Sequence, residues 1–544
     1  MSPIDWIIMI TVLAAIILYG VYISRKSKNL DAYFLSNRSM PWYLVLLGIM
    51  GTQASAVTYL SGPGQAYTDG MRFVQYYFGL PFAMIVISLF FVPVFNKLKV
   101  YTAYEFIEKR FDGKTRSFTA FLFLVSRGLS TGISIYAPSI VLSSLMGWDI
   151  YITNIIMGGM LLIYTMSGGA RAVAHTQMLQ MLIVFITLIL VFIIIIHILP
   201  GGLSFSGAVA QAKELGKMNV ITTGIDENGF NWNDKYNIWS GLIGGFFLAL
   251  SYFGTDHSQV GRYITAKNVK ESQRGLLMNG LVKVPMQFMI LLLGVLVFVF
   301  YVHTSSPVYF NKAKKEAAMQ TAHADTLSSI EAQYHKALAG KNTTGAAAYR
   351  EAYKQEMDRV FTREDNNDTN FIFLEFVKDH LPKGLIGLLF AVIFLSAWGS
   401  IAAALNALAA CTVVDFHKRY TRKKETDLDE VKLSKWYTFG WGIFCIIIAM
   451  FANNIGNSLI EAVNILGSLF YGVILGIFLM ALWVKSVKAN AVFYAAIISE
   501  IIVIVIYKME IISFLWLNAI GAGLVLILGF FLQHFSLRKK DCCD

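Results

Sequence analysis

The chain has 544 residues, 56% of them hydrophobic and only 15% charged, and its mean hydropathy is +0.58. That composition excludes a soluble globular protein, because apolar segments of about 20 residues, enough to cross a bilayer, recur throughout. The formal net charge of +11 does not indicate a nucleic-acid partner, because the basic residues fall mostly in short loops between apolar segments, as in membrane proteins. We therefore predict an all-α polytopic membrane protein that contacts the lipid bilayer and no nucleic acid.

The apolar segments predict about 13 transmembrane helices, with the N-terminus outside and the C-terminus inside. The first segment, within residues 1–24, lacks a cationic leader and a small-residue cleavage site, so we expect it to remain as a membrane anchor. Asp5 precedes it and the basic run Arg25–Lys28 follows it, which by the positive-inside rule places the N-terminus outside. We expect a multi-pass protein of the plasma (inner) membrane.

The second segment contains the stretch Gly51–Gly64, in which small and hydroxyl residues replace the usual apolar ones. Glycine and proline loosen the backbone hydrogen bonds that a helix in lipid must keep. Such a stretch is typical of a partly unwound helix whose freed carbonyl groups hold an ion or a polar solute. Close helix packing through small residues explains the stretch equally well.

A second stretch of this kind, Leu250–His257, lies five predicted spans later. Matching broken helices at that spacing indicate an inverted repeat and favour a transporter. Asp256 and His257 come at the end of the stretch. The alternatives there are a gate or proton-sensitive pair and a solvated role, and we expect the solvated role because the residues lie near the helix end.

Two basic side chains lie inside predicted spans, where an ionisable group costs at least ~2–3 kcal/mol and indicates function. Lys283 either extends to the inner interface or faces a cavity as a hydrogen-bond donor. Arg127 either binds an anionic group or pairs with a carbonyl or a lipid phosphate. Further along, Glu461 and Asn464 flank a glycine-rich span and are expected to face the protein interior.

A long hydrophilic segment, residues 304–383, interrupts the apolar pattern. Its middle part is rich in Ala, Lys, Glu and Gln and has few large apolar residues. We predict an extracellular cap made of one or two solvated helices without a core of its own, in preference to the alternative of a partner-binding segment.

The ninth predicted span carries Ser396–Ala407, a row of small residues that lets another helix approach closely. Ser400 adds a hydroxyl oxygen of the kind that suits an alkali cation. The sequence has no phosphate-binding loop, zinc-protease motif or serine-hydrolase motif, so we do not predict an enzyme and expect an ion gradient to supply the energy. The cysteines lack the spacing of metal ligands.

The order of several short motifs resembles the sodium/solute symporter family, which includes sodium–glucose, sodium–iodide and sodium–sialic acid carriers, and the chain looks like a bacterial-type member. The resemblance covers nearly the whole chain apart from the long insert. The motifs are Asp31–Leu35, Tyr101–Phe106 with Lys109–Asp112, Gly132–Pro138, Tyr164–Gly169, Arg262-Tyr263, and Leu405-Asn406 with Asp415.

The resemblance implies a five-plus-five inverted-repeat (LeuT-like) core with flanking helices and alternating access around a central site. The implied divisions are an N-terminal extra helix and cytoplasmic loop (1–40), a first repeat (41–200), the first part of a second repeat (201–303), the extracellular insert (304–383), the second part of that repeat (384–485), and C-terminal extra helices with a cytoplasmic tail (486–544).

The resemblance also implies a sodium site made of backbone carbonyls and hydroxyls. The matching positions are Gly51, Ala54, Ser396, Gly399 and Ser400. The family usually has two adjacent hydroxyl residues where this chain has Gly399-Ser400, so one hydroxyl ligand is missing. A second sodium site in some members needs an acid where this chain has Gln177, so at most one coupling sodium is implied.

The solute positions of the sugar carriers match a mixed set of side chains here. The expected substrate-binding residues are Gln53, Thr58, Tyr77, Tyr252, Phe253, Lys283 and Asn464. The resemblance therefore implies a sodium-coupled symporter of a small polar organic solute, a sugar or a related molecule. The alternatives are a sodium-coupled carrier of a small anion, monocarboxylate or vitamin, with Lys283 holding the anion, and a transporter-like sensor without ion coupling.

Overall fold

The computed structural model describes residues 1–24, 35–167, 170–227, 229–304, 306–340, 342–361, 367–421, 427–452 and 458–541. These residues form an almost entirely helical protein, as the composition predicts. The basic run 25–28 and the motif positions 31–34 and 168–169 lie outside the described residues.

Thirteen of the described α-helices lie before the insert, within residues 1–303. They are α1 (Pro3–Ser24), α2 (Trp42–Gln53), α3 (Ala56–Asp69), α4 (Leu80–Val86), α5 (Val92–Leu98), α6 (Glu105–Arg110), α7 (Gly113–Met146), α8 (Ile150–Ser167), α9 (Ala170–His197), α10 (Phe205–Glu214), α11 (Gly245–Thr255), α12 (His257–Tyr263) and α13 (Val269–His303). A two-residue antiparallel pair, β1 (Ile225–Asp226) and β2 (Gly229–Phe230), lies between α10 and α11.

The rest of the chain continues the helical pattern. Its described helices are α14 (Lys312–Ala318), α15 (Ala324–Ala339), α16 (Thr343–Val360), α17 (Thr369–His380), α18 (Leu385–Cys411), α19 (Lys418–Tyr420), α20 (Asp427–Phe451), α21 (Leu459–Trp483), α22 (Ala489–Lys508) and α23 (Trp516–Asp541).

Ten helical stretches in the described ranges are long and apolar enough to cross a membrane. Shorter apolar helices at Trp42–Gln53, Ile150–Met166 and Ser240–Thr255 accompany them. A polytopic helical architecture is therefore observed. The count of about 13 spans and their orientation remain predictions.

The stretch Gly51–Gly64 contains a helix break, as predicted. Helix α2 ends at Gln53 and α3 begins at Ala56, and between them Ser55 has an extended backbone with ψ 174°. The break redirects two amides. Ser55 N–H donates to the Gln53 carbonyl and Thr58 N–H donates to the Ser55 carbonyl, instead of to the carbonyls of Gly51 and Ala54 that a continuous α-helix would use. The break thus releases the Gly51 and Ala54 carbonyls from the helical ladder.

The second predicted break is also present. Helix α11 ends at Thr255 and α12 begins at His257, with Asp256 extended between them at ψ 118°. The expectation that Asp256 and His257 are solvated is wrong, because both are buried. Asp256 is stabilised there by three donors, namely the Ser258 amide (2.7 Å), the Ser258 hydroxyl (2.6 Å) and the Tyr471 hydroxyl (2.6 Å), which offset the cost of burying a carboxylate.

Helix α18 lies at the centre of the helical bundle and is buried over almost its whole length. It packs against α2, α3, α7 and α9. Its small residues permit this, since a Cβ atom on Gly399 would come within 2.4 Å of Gln180 Oε1 on α9. The row of small residues therefore brings α18 into close contact with its neighbours, as the sequence indicates.

The insert between α13 and α18 has more structure than expected. Helices α14 to α17 lie in it, and its apolar side chains form a separate buried cluster. The members are Val308, Tyr309, Ala318, Leu327, Tyr334, Ala346, Tyr353 and Met357. The prediction that the insert lacks its own core is therefore wrong. The sequence did not indicate this core, because its apolar residues are sparse along each helix and meet only when the helices pack together.

Candidate functional site

A cavity of about 90 Å³ lies beside the first helix break, between α3, α7, α11 and α21. We call it the central cavity. Five of the predicted solute-binding residues line it, namely Gln53, Thr58, Tyr77, Tyr252 and Asn464. Ser55 and Thr58 at the beginning of α3 also line it, so the positive end of the α3 dipole faces the cavity.

Arg127, on α7, provides the cationic group of the central cavity. Its side chain is buried, and its Nε atom has no hydrogen-bond partner among the described residues. The Arg127 Nη1 atom lies 3.9 Å from Asp256 Oδ2, and its guanidinium carbon lies 5.8 Å from the centre of the Tyr252 ring. Because Asp256 already accepts three short hydrogen bonds, the guanidinium keeps donors available for a carboxylate in the cavity.

The sequence left the role of Arg127 open, since a position within a span does not show whether a side chain faces lipid, a carbonyl or a cavity. Tyr76 and Tyr471 line the same cavity and are also absent from the predicted set. Tyr76 donates to the Asn464 side chain at 3.2 Å. Only the folded arrangement brings these rings together, because Tyr76 and Tyr471 are far apart in the chain.

Phe253 and Lys283 are not among the residues that line the central cavity. Phe253 is buried beside Tyr252, with ring centres 4.9 Å apart. The Lys283 ammonium is fully buried, has no hydrogen-bond partner among the described residues, and lies 5.7 Å from the centre of the Tyr77 ring. Each side chain therefore lies next to a tyrosine that lines the cavity, Phe253 next to Tyr252 and Lys283 next to Tyr77.

Gly51 lies at the end of α2 and Ala54 directly after it, whereas the other predicted sodium ligands lie on α18, which packs against α2. The Gly51 and Ala54 carbonyls are those released by the break. Ser396 and Ser400 are buried, and their hydroxyls donate to the Val392 carbonyl at 2.7 Å and the Ala397 carbonyl at 3.1 Å. A hydroxyl that donates in this way keeps its oxygen lone pairs for a cation.

Gln177, on α9, joins the two helices. Its Nε2 atom donates to the Gly399 carbonyl at 2.9 Å and to the Thr52 hydroxyl at 3.1 Å. Arg262 Nε also donates to the Thr52 hydroxyl, at 3.1 Å. An amide and a guanidinium therefore contact Thr52 at the position where the family resemblance implies an acid for a second sodium site. Among the described residues no cluster of three or more His, Cys, Asp or Glu side chains is placed to hold a metal ion.

Known proteins share this fold over the full length of the chain. A Na⁺-coupled sialic acid symporter solved in a substrate-bound, outward-open state matches with a TM-score of 0.79 and 23% identity, covering 98% of each chain. Among curated sequences, the sodium/sialic acid symporter SiaT of Proteus mirabilis is 26% identical, covering 97% of this chain and 94% of its own length. The human sodium-coupled monocarboxylate transporter 1 is 27% identical, covering 88% of this chain and 68% of its own length.

The family model described as the sodium:solute symporter family matches residues 33–325 and 344–499. The match includes both helix breaks, the Arg127 region and α18, and it omits residues 326–343 of the insert. The expected family is confirmed: the chain belongs to the sodium:solute symporter family.

Proposed function

We propose that this protein is a sodium-coupled symporter that imports a small polar organic solute carrying a carboxylate. The observation that supports the negative charge is Arg127, which lines the central cavity and whose buried Nε has no hydrogen-bond partner among the described residues. The beginning of α3 adds a second favourable field for an anion at the same place. Sialic acid and monocarboxylates, which the similar carriers are named for, both carry a carboxylate.

Polar and aromatic side chains in the cavity suit the remainder of such a solute. Gln53, Thr58 and Asn464 provide hydrogen bonds for hydroxyl or amide groups, and Tyr252 and Tyr77 provide ring faces. Phe253 and Lys283 support these tyrosines from behind. Of the two solute classes that the sequence analysis left open, we therefore favour the anionic solute over a neutral sugar. We propose Arg127, and not Lys283, as the residue that binds the anion.

For sodium we propose the site formed by Gly51, Ala54, Ser396, Gly399 and Ser400. Its support is the pair of carbonyls released at the end of α2, together with the buried Ser396 and Ser400 hydroxyls on α18, which packs against α2. Sodium bound there joins the first broken helix to α18 and favours the state that is open to the solute. Each ligand then raises the affinity for the other by the same factor, as coupling requires.

The proposed inverted-repeat core then alternates between two access states in the plasma (inner) membrane. The insert and the flanking helices stand outside that core. We infer transport and not enzymatic chemistry, in line with the transporter family to which the chain belongs.

Arg127→Gln tests the solute class. In proteoliposomes with a sodium gradient, we expect the variant to weaken uptake of a carboxylate solute about tenfold or more, because a charge-assisted hydrogen bond is lost. Arg274→Gln, which removes a charge from a mostly exposed arginine, is the matched control. Equal carboxylate uptake by Arg127→Gln and the native protein would contradict the assignment.

Ser400→Ala tests the sodium site. We expect a higher sodium concentration for half-maximal uptake, with Ser139→Ala as the control. Ser139 is a buried helical serine on α7 whose hydroxyl also donates to its own helix, at 2.9 Å from the Ile135 carbonyl. An unchanged sodium requirement in Ser400→Ala would remove that residue from the site.

A sensor without ion coupling is the second candidate, and the Gln177 amide on the Gly399 carbonyl is the observation that favours it. Such a protein binds its solute but does not accumulate it. Proteoliposomes distinguish the two functions, since only a symporter concentrates the solute when an inward sodium gradient is imposed.

A further inference from the structure

A second cavity, of about 240 Å³, lies between the insert and the C-terminal end of α3. We call it the insert cavity. It is separate from the central cavity, because Tyr67 in its wall lies about three helical turns beyond Val57 of the central cavity, roughly 15 Å along α3. Part of its wall, including Tyr334, comes from the insert residues that the family model does not match.

Lys217 places an ammonium group in this cavity. Its Nζ atom donates to the backbone carbonyl of Thr68 at 2.6 Å and lies 4.7 Å from the centre of the Phe298 ring. Among the described residues no carboxylate lies within ion-pair distance of it. The pKa of Lys217 is lowered to about 8, mainly by burial, with Asp69 opposing the shift and Arg350 adding to it. The cavity therefore holds a cation that lacks a direct counter-ion.

Arg350, on α16, places a second cation in the same wall. Its Nη2 atom pairs with the buried Asp368 carboxylate at 3.0 Å, and its Nη1 atom lies 3.4 Å from the Tyr67 hydroxyl. Lys354 pairs with the other oxygen of Asp368 at 3.2 Å. Asp368 thus divides one negative charge between two cations.

The charges around the insert cavity leave a positive excess. Three cations, Lys217, Arg350 and Lys354, line the wall together with one carboxylate, the exposed Glu351. The buried Asp368 is shared between Arg350 and Lys354, and Asp69, which also acts on Lys217, is itself paired with Arg72. Aromatic rings complete the wall at Tyr67, Phe298, Tyr301 and Tyr334. A positive site next to ring faces fits an anion with an apolar organic body better than a simple inorganic anion.

We propose that the insert cavity binds a small organic carboxylate between Lys217 and Arg350. The carboxylate accepts hydrogen bonds from the free N–H groups of Lys217, and the aromatic rings pack against its organic part. Tyr67 and Thr68 belong to α3, and the other end of α3 lines the central cavity. A ligand in the insert cavity therefore contacts both the insert and the helix that forms part of the solute site. This binding site goes beyond the proposed function and does not depend on sodium coupling.

Equilibrium binding of ¹⁴C-benzoate to the purified full-length protein in lipid nanodiscs, at neutral pH and without an ion gradient, tests the site. The measurements use an Arg127→Gln background, which removes the cation of the central cavity and leaves the insert cavity intact. In that background we expect Lys217→Gln to weaken benzoate binding about tenfold, because a charge-assisted contact is lost. Lys213→Gln, an exposed lysine one helical turn earlier, is the matched control and is expected to bind like its parent.

Lys217→Arg keeps the positive charge and is expected to retain most of the binding, which separates a lost contact from a folding defect. Identical dissociation constants for Lys217→Gln and its parent would overturn the proposal. Displacement of benzoate by an equal concentration of chloride would overturn the choice of an organic carboxylate. Because binding is measured without transport, failure here is distinct from failure of sodium-driven uptake.

Discussion

The Nε2 atom of Gln177 donates a hydrogen bond to the carbonyl oxygen of Gly399, 2.9 Å away. The Gly399 carbonyl, one of the proposed sodium ligands, is therefore already hydrogen-bonded to a side-chain amide. The same atom reaches Thr52 on the partner helix at 3.1 Å. Gln177 therefore joins α2 to α18 with hydrogen bonds at the place where sodium is proposed to join them with coordination bonds.

Gln177→Glu keeps the shape of this side chain but removes the N–H donors and adds a charge. The Gly399 carbonyl then faces an anionic oxygen, and the two oxygens repel unless a cation lies between them. We expect the sodium concentration for half-maximal uptake to fall about tenfold, equivalent to ~1.4 kcal/mol, with Arg262 limiting the gain by pairing with the new carboxylate.

Gln177→Met is the control for this prediction, since it removes the donor without adding charge. We expect a much smaller change in sodium dependence than in Gln177→Glu. If both variants require the native concentration of sodium, the Gln177 side chain does not share the sodium site. Uptake measured over a sodium titration in proteoliposomes decides between these outcomes.

The backbone features of the site are predictable from the sequence because they are local. A dense group of Gly, Ser and Thr inside an apolar span is sufficient to indicate the break between Gln53 and Ala56. The released carbonyls of Gly51 and Ala54 follow from that break. The role of small residues in α18 is predictable for the same reason.

The side-chain features were missed because they depend on partners far along the chain. Of the three donors that stabilise the buried Asp256, the Tyr471 hydroxyl comes from 215 residues later in the chain. Gln177 reaches Gly399 across 222 residues. A pattern within one span indicates that a polar residue is functional, but the packing of several spans decides which cavity it faces.

Lys283→Met tests whether the buried lysine acts directly on the solute. Its ammonium has no hydrogen-bond partner among the described residues and stands behind Tyr77. Burying a charge without compensation is costly, so an apolar side chain of similar length is expected to raise the thermal unfolding midpoint. The apparent affinity for a carboxylate solute is expected to change far less than in Arg127→Gln.

The two measurements on Lys283→Met separate its possible roles. A loss of solute affinity as large as that of Arg127→Gln would show that Lys283 contacts the solute, contrary to its position outside the cavity wall. Lys270→Met, which changes an exposed lysine at the beginning of the same helix, controls for removal of a positive charge from α13.

Carboxylate binding in the insert cavity should depend on pH through Lys217. Its pKa is lowered to about 8 by burial, so the ammonium loses its proton as the pH rises through that value. The acceptor carboxylate prefers the protonated form, and binding is therefore strongest below the lowered pKa. Between about pH 7 and about pH 9 we expect the benzoate dissociation constant to rise about fivefold, because loss of the charge costs about tenfold in all and is not complete over this range.

Charged neighbours of Lys217 include Asp69, Arg350, Lys354 and Glu351, so a control is needed to assign the titration. Lys217→Arg provides it, because a guanidinium stays charged throughout this range. The dissociation constant of that variant should be flat between the same two pH values. An equal rise in Lys217→Arg would place the titrating group elsewhere in the wall.

The contact between α3 and α17 depends on the absence of a side chain at Gly64. A Cβ atom there would lie 2.1 Å from the backbone carbonyl oxygen of Thr369, which is a rigid obstacle. Gly64→Ala must therefore separate the two helices, and we expect a destabilisation of about 1–3 kcal/mol and a lower thermal unfolding midpoint. Gly159→Ala on α8, where a Cβ meets nothing within 4 Å, is expected to leave the midpoint unchanged or to raise it slightly. Because α3 lines the central cavity at its other end, the Gly64 variant should also lose solute affinity at temperatures where it remains folded. Equal midpoints for the two alanine variants would show that α3 and α17 do not pack as closely as the backbone contact implies.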